Sequence, residues 1–192
     1  MTQIAIKVQP DNGRTEKGGD EDCEDRTVCL IGEVEEGMLR TSLQVLNLDR
    51  TPGIIQVILS SQGGSVEDGM AIYDILRGCK NEVHINAYGP VKSMAVLLMQ
   101  AGDLRIASPE CRFLLHNGSM GHEAADPRVV QSATQEVNIL HERYCKLIAS
   151  RSKRSLAQIL KWCNDETYFS AQEAKSAGLI DEITPVRRHR RK

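Results

Sequence analysis

Aromatic side chains are scarce: two Phe, one Trp and four Tyr in 192 residues. The core must therefore draw its volume from Leu, Ile, Val, Ala and Met. No apolar run reaches the ~18 residues that would cross a bilayer. The opening stretch, "MTQIAIKVQPDNGRTEKGG", lacks the charged-then-apolar layout of a secretory leader. A P-loop is excluded because its Gly-Lys-Ser/Thr is absent. The cysteines, Cys23, Cys29, Cys79, Cys111, Cys145 and Cys163, form no CxxC pair, and no histidine is read at zinc-ligand spacing from them. No metal site and no cofactor are expected. A net charge of -2 argues against general nucleic-acid binding. These absences together make a reducing cytoplasm the simplest compartment.

The near-neutral total hides an asymmetry. The head is acidic, "EKGGDEDCED" from Glu16 to Asp25, and the tail is basic, "VRRHRRK" from Val186 to Lys192. The expected organisation is a flexible acidic segment over 1–25, one domain over 26–184 and a basic tail over 185–192. Within that domain, strand-like runs alternate with helical patterns. "TVCLIG" reads as a strand, "EEGMLRTSLQVLNLD" as a helix, and "GIIQVILSS" as a strand buried on both faces. "SVEDGMAIYDILRG" is helical, "EVHINAY" a strand, and "SMAVLLMQA" a helix apolar all round. "LRIAS" and "RFLLH" are short strands. "SLAQILKWC" and "SAQEAKSAG" are short helices, and "LIDEI" is a last strand. This alternation predicts an α/β fold with a largely parallel sheet.

One helix stands out. Asp126 suits an N-cap and Pro127 a first helical position. Val129, Ala133, Val137, Leu140, Tyr144 and Leu147 recur at helical spacing. The stripe predicts about 22 residues of helix, ~33 Å long, reaching out to another subunit or lying along its own core.

The chemistry-bearing residues lie where strands meet helices, as in parallel α/β sheets generally. Gly63 and Gly64 join a strand to a helix and read either as a plain turn or as an anion-holding bend with exposed amides. Ser93 opens the apolar helix after the Gly89-Pro90 turn, either as its N-cap or as a nucleophile beside the Met94 amide. A serine needs a base. His189 lies in the tail, His141 reads as a surface residue in mid-helix, and His84 sits within a strand. His116 closes "RFLLH" and is preferred to His122 in its glycine-flanked loop. Asp165 and Glu166 are the acids near the next helix start. Lys92 should diverge in direction from its neighbour Ser93, so a Ser-Lys pair is disfavoured.

Taken in order, "SQGGSVEDGMAIYDIL", "GPVKSMAVLLMQAG", "RFLLHNG" and "ETYFSAQEAKSAGLID" resemble the proteolytic subunit of the Clp protease, the ClpP family, over roughly Arg26 to Ile183. The resemblance implies a crotonase-like ββα superhelix with a protruding long helix, the family's handle. It implies a serine endopeptidase with Ser93 as nucleophile, His116 as general base, Glu166 at the family's aspartate position, and an oxyanion hole from the amides of Gly64 and Met94. It further implies homo-oligomeric, heptameric rings, stacked as a tetradecamer around a chamber, cleaving peptides or unfolded proteins in partnership with an AAA+ unfoldase or a paralogous subunit. The chain departs from the pattern at Gln62, where the family has Pro, and at Ala95, where it has Gly. The acidic head replaces an amphipathic helix, and Gln56, Ile58 and Gly78 replace the aromatics of the unfoldase groove. Two alternatives remain: a catalytically impaired ring subunit beside an active paralogue, and a crotonase-type acyl-CoA enzyme.

Overall fold

Val, Ile and Leu crowd the stretches that become strands, as β-propensity predicts. The computed structural model describes residues 26–118 and 126–185. The acidic head, the basic tail after Pro185, Cys23, His122 and His189 lie outside the described residues. Among those described, β1 (Thr27–Ile31), β2 (Ile55–Ser61), β3 (Val83–Lys92), β4 (Leu104–Ala107) and β7 (Glu182–Ile183) lie side by side and parallel. β5 (Arg112–Leu115) runs parallel to the far end of β3, and β6 (Thr167–Ser170) runs antiparallel to β5. The expected α/β class, with a mainly parallel sheet and a long protruding helix, is the one observed. No described helix is long and apolar enough to cross a membrane.

Two local expectations need correction. The turn expected at Gly89-Pro90 is instead a bend inside β3. Up to Ala87 the strand lies between β2 and β4; after Gly89, at φ 67°, Pro90–Lys92 pairs with β5. Glycine takes that conformation without a Cβ penalty, and past the bend β3 trades β4 for β5 while Val91 still pairs with Ser61 of β2. The helix expected over 35–49 is two, α1 (Glu36–Ser42) and α2 (Gln44–Leu48), parted at Leu43. There the buried Ser42 hydroxyl donates to the Leu39 carbonyl at 2.7 Å, a side-chain bond that competes with the helical ladder. In addition, β2 is fully buried on one face only, because Gln56, Ile58 and Ser60 are half-buried.

α3 (Val66–Arg77) and α4 (Met94–Met99) follow β2 and β3. α4 is the all-apolar helix of the sequence, and each of its six residues is buried. α5 (Pro127–Arg151) starts as read, with the Asp126 carboxylate accepting from the Arg128 amide, and runs 25 residues, ~37 Å. None of its residues from Arg128 to Arg143 is buried, whereas Tyr144, Cys145 and Ile148 are. Its outer half stands clear of the core, as a handle does. α6 (Leu156–Asn164) and α7 (Ala171–Ala177) are the remaining described helices. Ser170 and Glu173 cap α7 reciprocally, and Gly178 ends it at φ 78°.

A polar knot fastens this end of the sheet. The guanidinium of Arg105, 6% exposed, donates twice to the Asp181 carboxylate, at 2.9 and 2.6 Å. It also reaches Gln100 Oε1 at 2.6 Å and the carbonyls of Gly178 and Arg151. The paired Arg105 guanidinium holds the Asp181 carboxyl below its ordinary range.

Candidate active site

β3 ends at Lys92 and α4 begins at Met94, so Ser93 alone makes the corner. It does so at φ 52°, ψ −124°. A non-glycine residue in such a region costs on the order of 1–3 kcal/mol and persists only when its surroundings hold it. Three bonds do so. The Ser93 amide donates to the Leu114 carbonyl at 2.9 Å, and the Ser93 carbonyl accepts from the Val96 amide at 2.9 Å and from the Tyr144 hydroxyl at 3.0 Å. Burial drives the Tyr144 phenol well above its usual range, so it stays a donor. The N-cap reading of Ser93 fails: it occupies the cap position, but its hydroxyl makes no cap bond.

Gly63 and Gly64 pack against that corner. A Cβ on Gly63, at φ 102°, would lie 2.5 Å from Ser93 Cβ and 2.9 Å from the Lys92 carbonyl oxygen. On Gly64, at φ 147°, it would lie 2.3 Å from the Val34 carbonyl oxygen. Only glycine fits either position. The pair runs parallel to Val34, whose amide donates to the Gly63 carbonyl at 2.8 Å and whose carbonyl accepts from the Ser65 amide at 2.7 Å. Among the described residues, the amides of Gly64 and Met94 find no acceptor.

These groups share a cavity of about 730 Å³ with His116. Ala133, Val137 and Leu140 of α5 form its apolar wall, so the middle of the stripe read from the sequence faces the site. His116 follows β5 directly and is half-buried. Glu166 is exposed, stands at φ 49° and does not line the cavity. Its relation to His116 is one of register. β5 and β6 pair through Leu115 and Thr167, and one further step along the ladder sets Glu166 opposite His116. Asp165 is engaged elsewhere, paired with Lys161. No hydrogen bond among the described residues links Ser93 to His116, or His116 to Glu166.

Other residues fall differently from expectation. His84 pairs with Glu82 at 3.1 Å, and neither it nor Lys92 lines the cavity. His141, read as surface, is half-buried, lines the cavity and approaches Cys145 Sγ to 3.6 Å with Nε2. Helical phase explains this, because His141 sits one turn before Cys145 and borders the Leu140–Tyr144 stripe. Asn117 and Asn164 were missed; they join across the rim at 2.9 Å. Nothing in their spacing, 47 residues apart, could have paired them.

A thiol cluster adjoins the site. Cys145 Sγ lies 3.8 Å from Cys163 Sγ, and both side chains are fully buried. With His141, their potential ligand atoms all fall within 4.8 Å of one another. Burial lowers the His141 imidazole, and the bond between the two thiols favours ionisation at Cys145 while raising Cys163. The expectation of no metal-ligand set overlooked this group. Its one sequence signal was the four-residue step from His141 to Cys145 on a helix.

Comparison with known proteins agrees with the fold. The family model described as Clp protease matches residues 20–187. One similar curated protein is an ATP-dependent Clp protease proteolytic subunit of Chlorella vulgaris. It is 27% identical over 164 residues, covering 83% of this chain and 81% of the relative.

Proposed function

The chain belongs to the Clp protease family, and from that premise we propose that it is a serine endopeptidase whose nucleophile is Ser93. The observation that carries this reading is the Ser93 corner. A strained serine gives up its capping bond, and its hydroxyl shares a cavity with His116 and two amides that lack acceptors.

In this reading His116 takes the proton as Ser93 Oγ attacks a peptide carbonyl. The amides of Gly64 and Met94 receive the oxyanion; loss of one such donor costs on the order of 10²–10³ in rate. His116 then protonates the leaving amine, and water, activated by the same imidazole, releases the acyl group. Glu166, beside His116 in register, orients the imidazole once its side chain turns inward. The chemistry calls for no cofactor.

The same proposal places the chain in homo-oligomeric rings, heptameric and stacked as a tetradecamer, in the cytoplasm. Two observations support it: the outer half of α5 exposes Val129 and Ile139, and the five described cysteines are free. The chain's partner in this reading is either an AAA+ unfoldase that delivers unfolded protein to the chamber or a paralogous subunit that shares the ring. The groove positions Gln56, Ile58 and Gly78 carry no aromatic ring for docking.

The missing bond between Ser93 and His116 favours a second reading, a ring subunit that relies on an active paralogue. One experiment separates the two. The purified chain alone is treated with a fluorophosphonate probe and assayed on a fluorogenic peptide. The peptidase labels at Ser93, hydrolyses the peptide and loses both properties in Ser93→Ala. A folded chain that neither labels nor hydrolyses overturns the proposal.

A further inference from the structure

We propose that His141, Cys145 and Cys163 form a zinc-binding site that fastens α5 to α6 beside the cavity. His141 and Cys145 are one turn apart on α5 and so share a face. Cys163 comes from the last turn of α6, and the three potential ligand atoms lie within 4.8 Å of one another.

The spacing matches a tetrahedral ion. Zn–S bonds of about 2.3 Å and a Zn–N bond of about 2.0–2.1 Å set the sulfurs ~3.8 Å apart and sulfur to nitrogen ~3.5 Å apart. The observed separations are 3.8 Å for the two sulfurs and 3.6 Å for Cys145 Sγ to His141 Nε2. Turning the half-buried imidazole toward Cys163 closes the remaining edge. A disulfide would use two of the three groups, would shorten the sulfur separation to ~2.05 Å, and would leave the histidine without a role.

Charge and softness point the same way. Two thiolates and a neutral imidazole balance a divalent cation, so the buried site carries no net charge. Thiolate and imidazole together select zinc over magnesium or calcium. His141 lines the cavity, so a water from it would complete the shell. Binding displaces one proton from each thiol. The ion would then sit next to Tyr144, which holds the Ser93 carbonyl, and three residues before Glu166. Loading would therefore stiffen both sides of the reactive corner.

The test uses the full-length reduced protein, stripped with chelator and titrated with Co²⁺ and then Zn²⁺. One equivalent of Co²⁺ should produce a thiolate-to-metal charge-transfer band, which Zn²⁺ then bleaches. Proton release measured in two buffers should approach two per ion at neutral pH. Cys145→Ser, Cys163→Ser and His141→Gln should each weaken Zn²⁺ binding by more than the roughly 10–100-fold that loss of a mere outer-shell partner costs, whereas Cys29→Ser, on the exposed β1 face, should bind as the parent does. The spectrum of the unsubstituted protein needs no variant to fold, and it persists in Ser93→Ala, so it stands or falls apart from the peptidase reading. The absence of the band overturns the proposal. So does a band that survives Cys163→Ser, or a thiol count showing a Cys145–Cys163 disulfide in protein that binds no ion.

Discussion

Arg105 and Ser93 both sit at the edge of the buried helix α4, yet their polar atoms are treated in opposite ways. Every nitrogen of the Arg105 guanidinium has a partner, and its carboxylate, Asp181, accepts two guanidinium bonds and one from the Arg105 amide. Around Ser93 the backbone is pinned while the hydroxyl, two nearby amides and an imidazole have no partner among the described residues. The Ser93 hydroxyl and the His116 imidazole are half-buried and line the cavity, so their free bonding capacity faces whatever enters it. The first centre uses its bonds for cohesion, and the second, in the proposed function, keeps them for a substrate.

Breaking the two centres should therefore give opposite signatures. The largest effect should come from His116→Ala: a loss of about 10⁴-fold in kcat/KM on a fluorogenic peptide, with the unfolding midpoint in denaturant unchanged. Arg105→Met should do the reverse. It should cost about 3 kcal/mol by urea unfolding, the low end for breaking a buried pair because Asp181 is half-exposed, with little change in kcat for what remains folded. Gly63→Ala sharpens the contrast, because its Cβ collides with Ser93 Cβ. A shift of the hydroxyl by about 1 Å should lower kcat on the order of 10²-fold. Tyr144→Phe removes one neutral bond to the Ser93 carbonyl and should cost about 1 kcal/mol. The smallest effect is acidic. Because the folded-state pKa of Asp181 is depressed, the stability it contributes is present above about 3.9 and is lost as pH falls through the lower folded value. A series of urea unfoldings from pH 5 to pH 2 should show a shallower decline for Asp181→Asn.

The parts of the fold set by local pattern were legible in the sequence. α4 was evident from six consecutive apolar residues, α5 from its cap and its stripe, and α7 from Ser170, Glu173 and Gly178. The bend in β3 was not, because Gly-Pro signals a turn, and only the arrival of β5 against Pro90–Lys92 keeps the strand going. β6 was invisible for a similar reason: four residues, Thr167–Ser170, become a strand only because β5 offers them an edge. At the site, Ser93, His116, Gly64 and Met94 were each marked by a strand end or a helix start, and the structure brings them to one cavity. Glu166 reaches them only through register, and the neighbourhood of Cys163 depends on two helices packing. Long-range placement of that kind leaves no periodic trace in a single chain.

α5 is moored at one end. Its last turns are sunk in the core, its first four stand outside it, and the Tyr144 hydroxyl grips the Ser93 carbonyl near the waterline between them. Such a rod works as a tiller. A neighbour that leans on the free turns, without entering the cavity, pulls through Tyr144 on the backbone of the Ser93 corner.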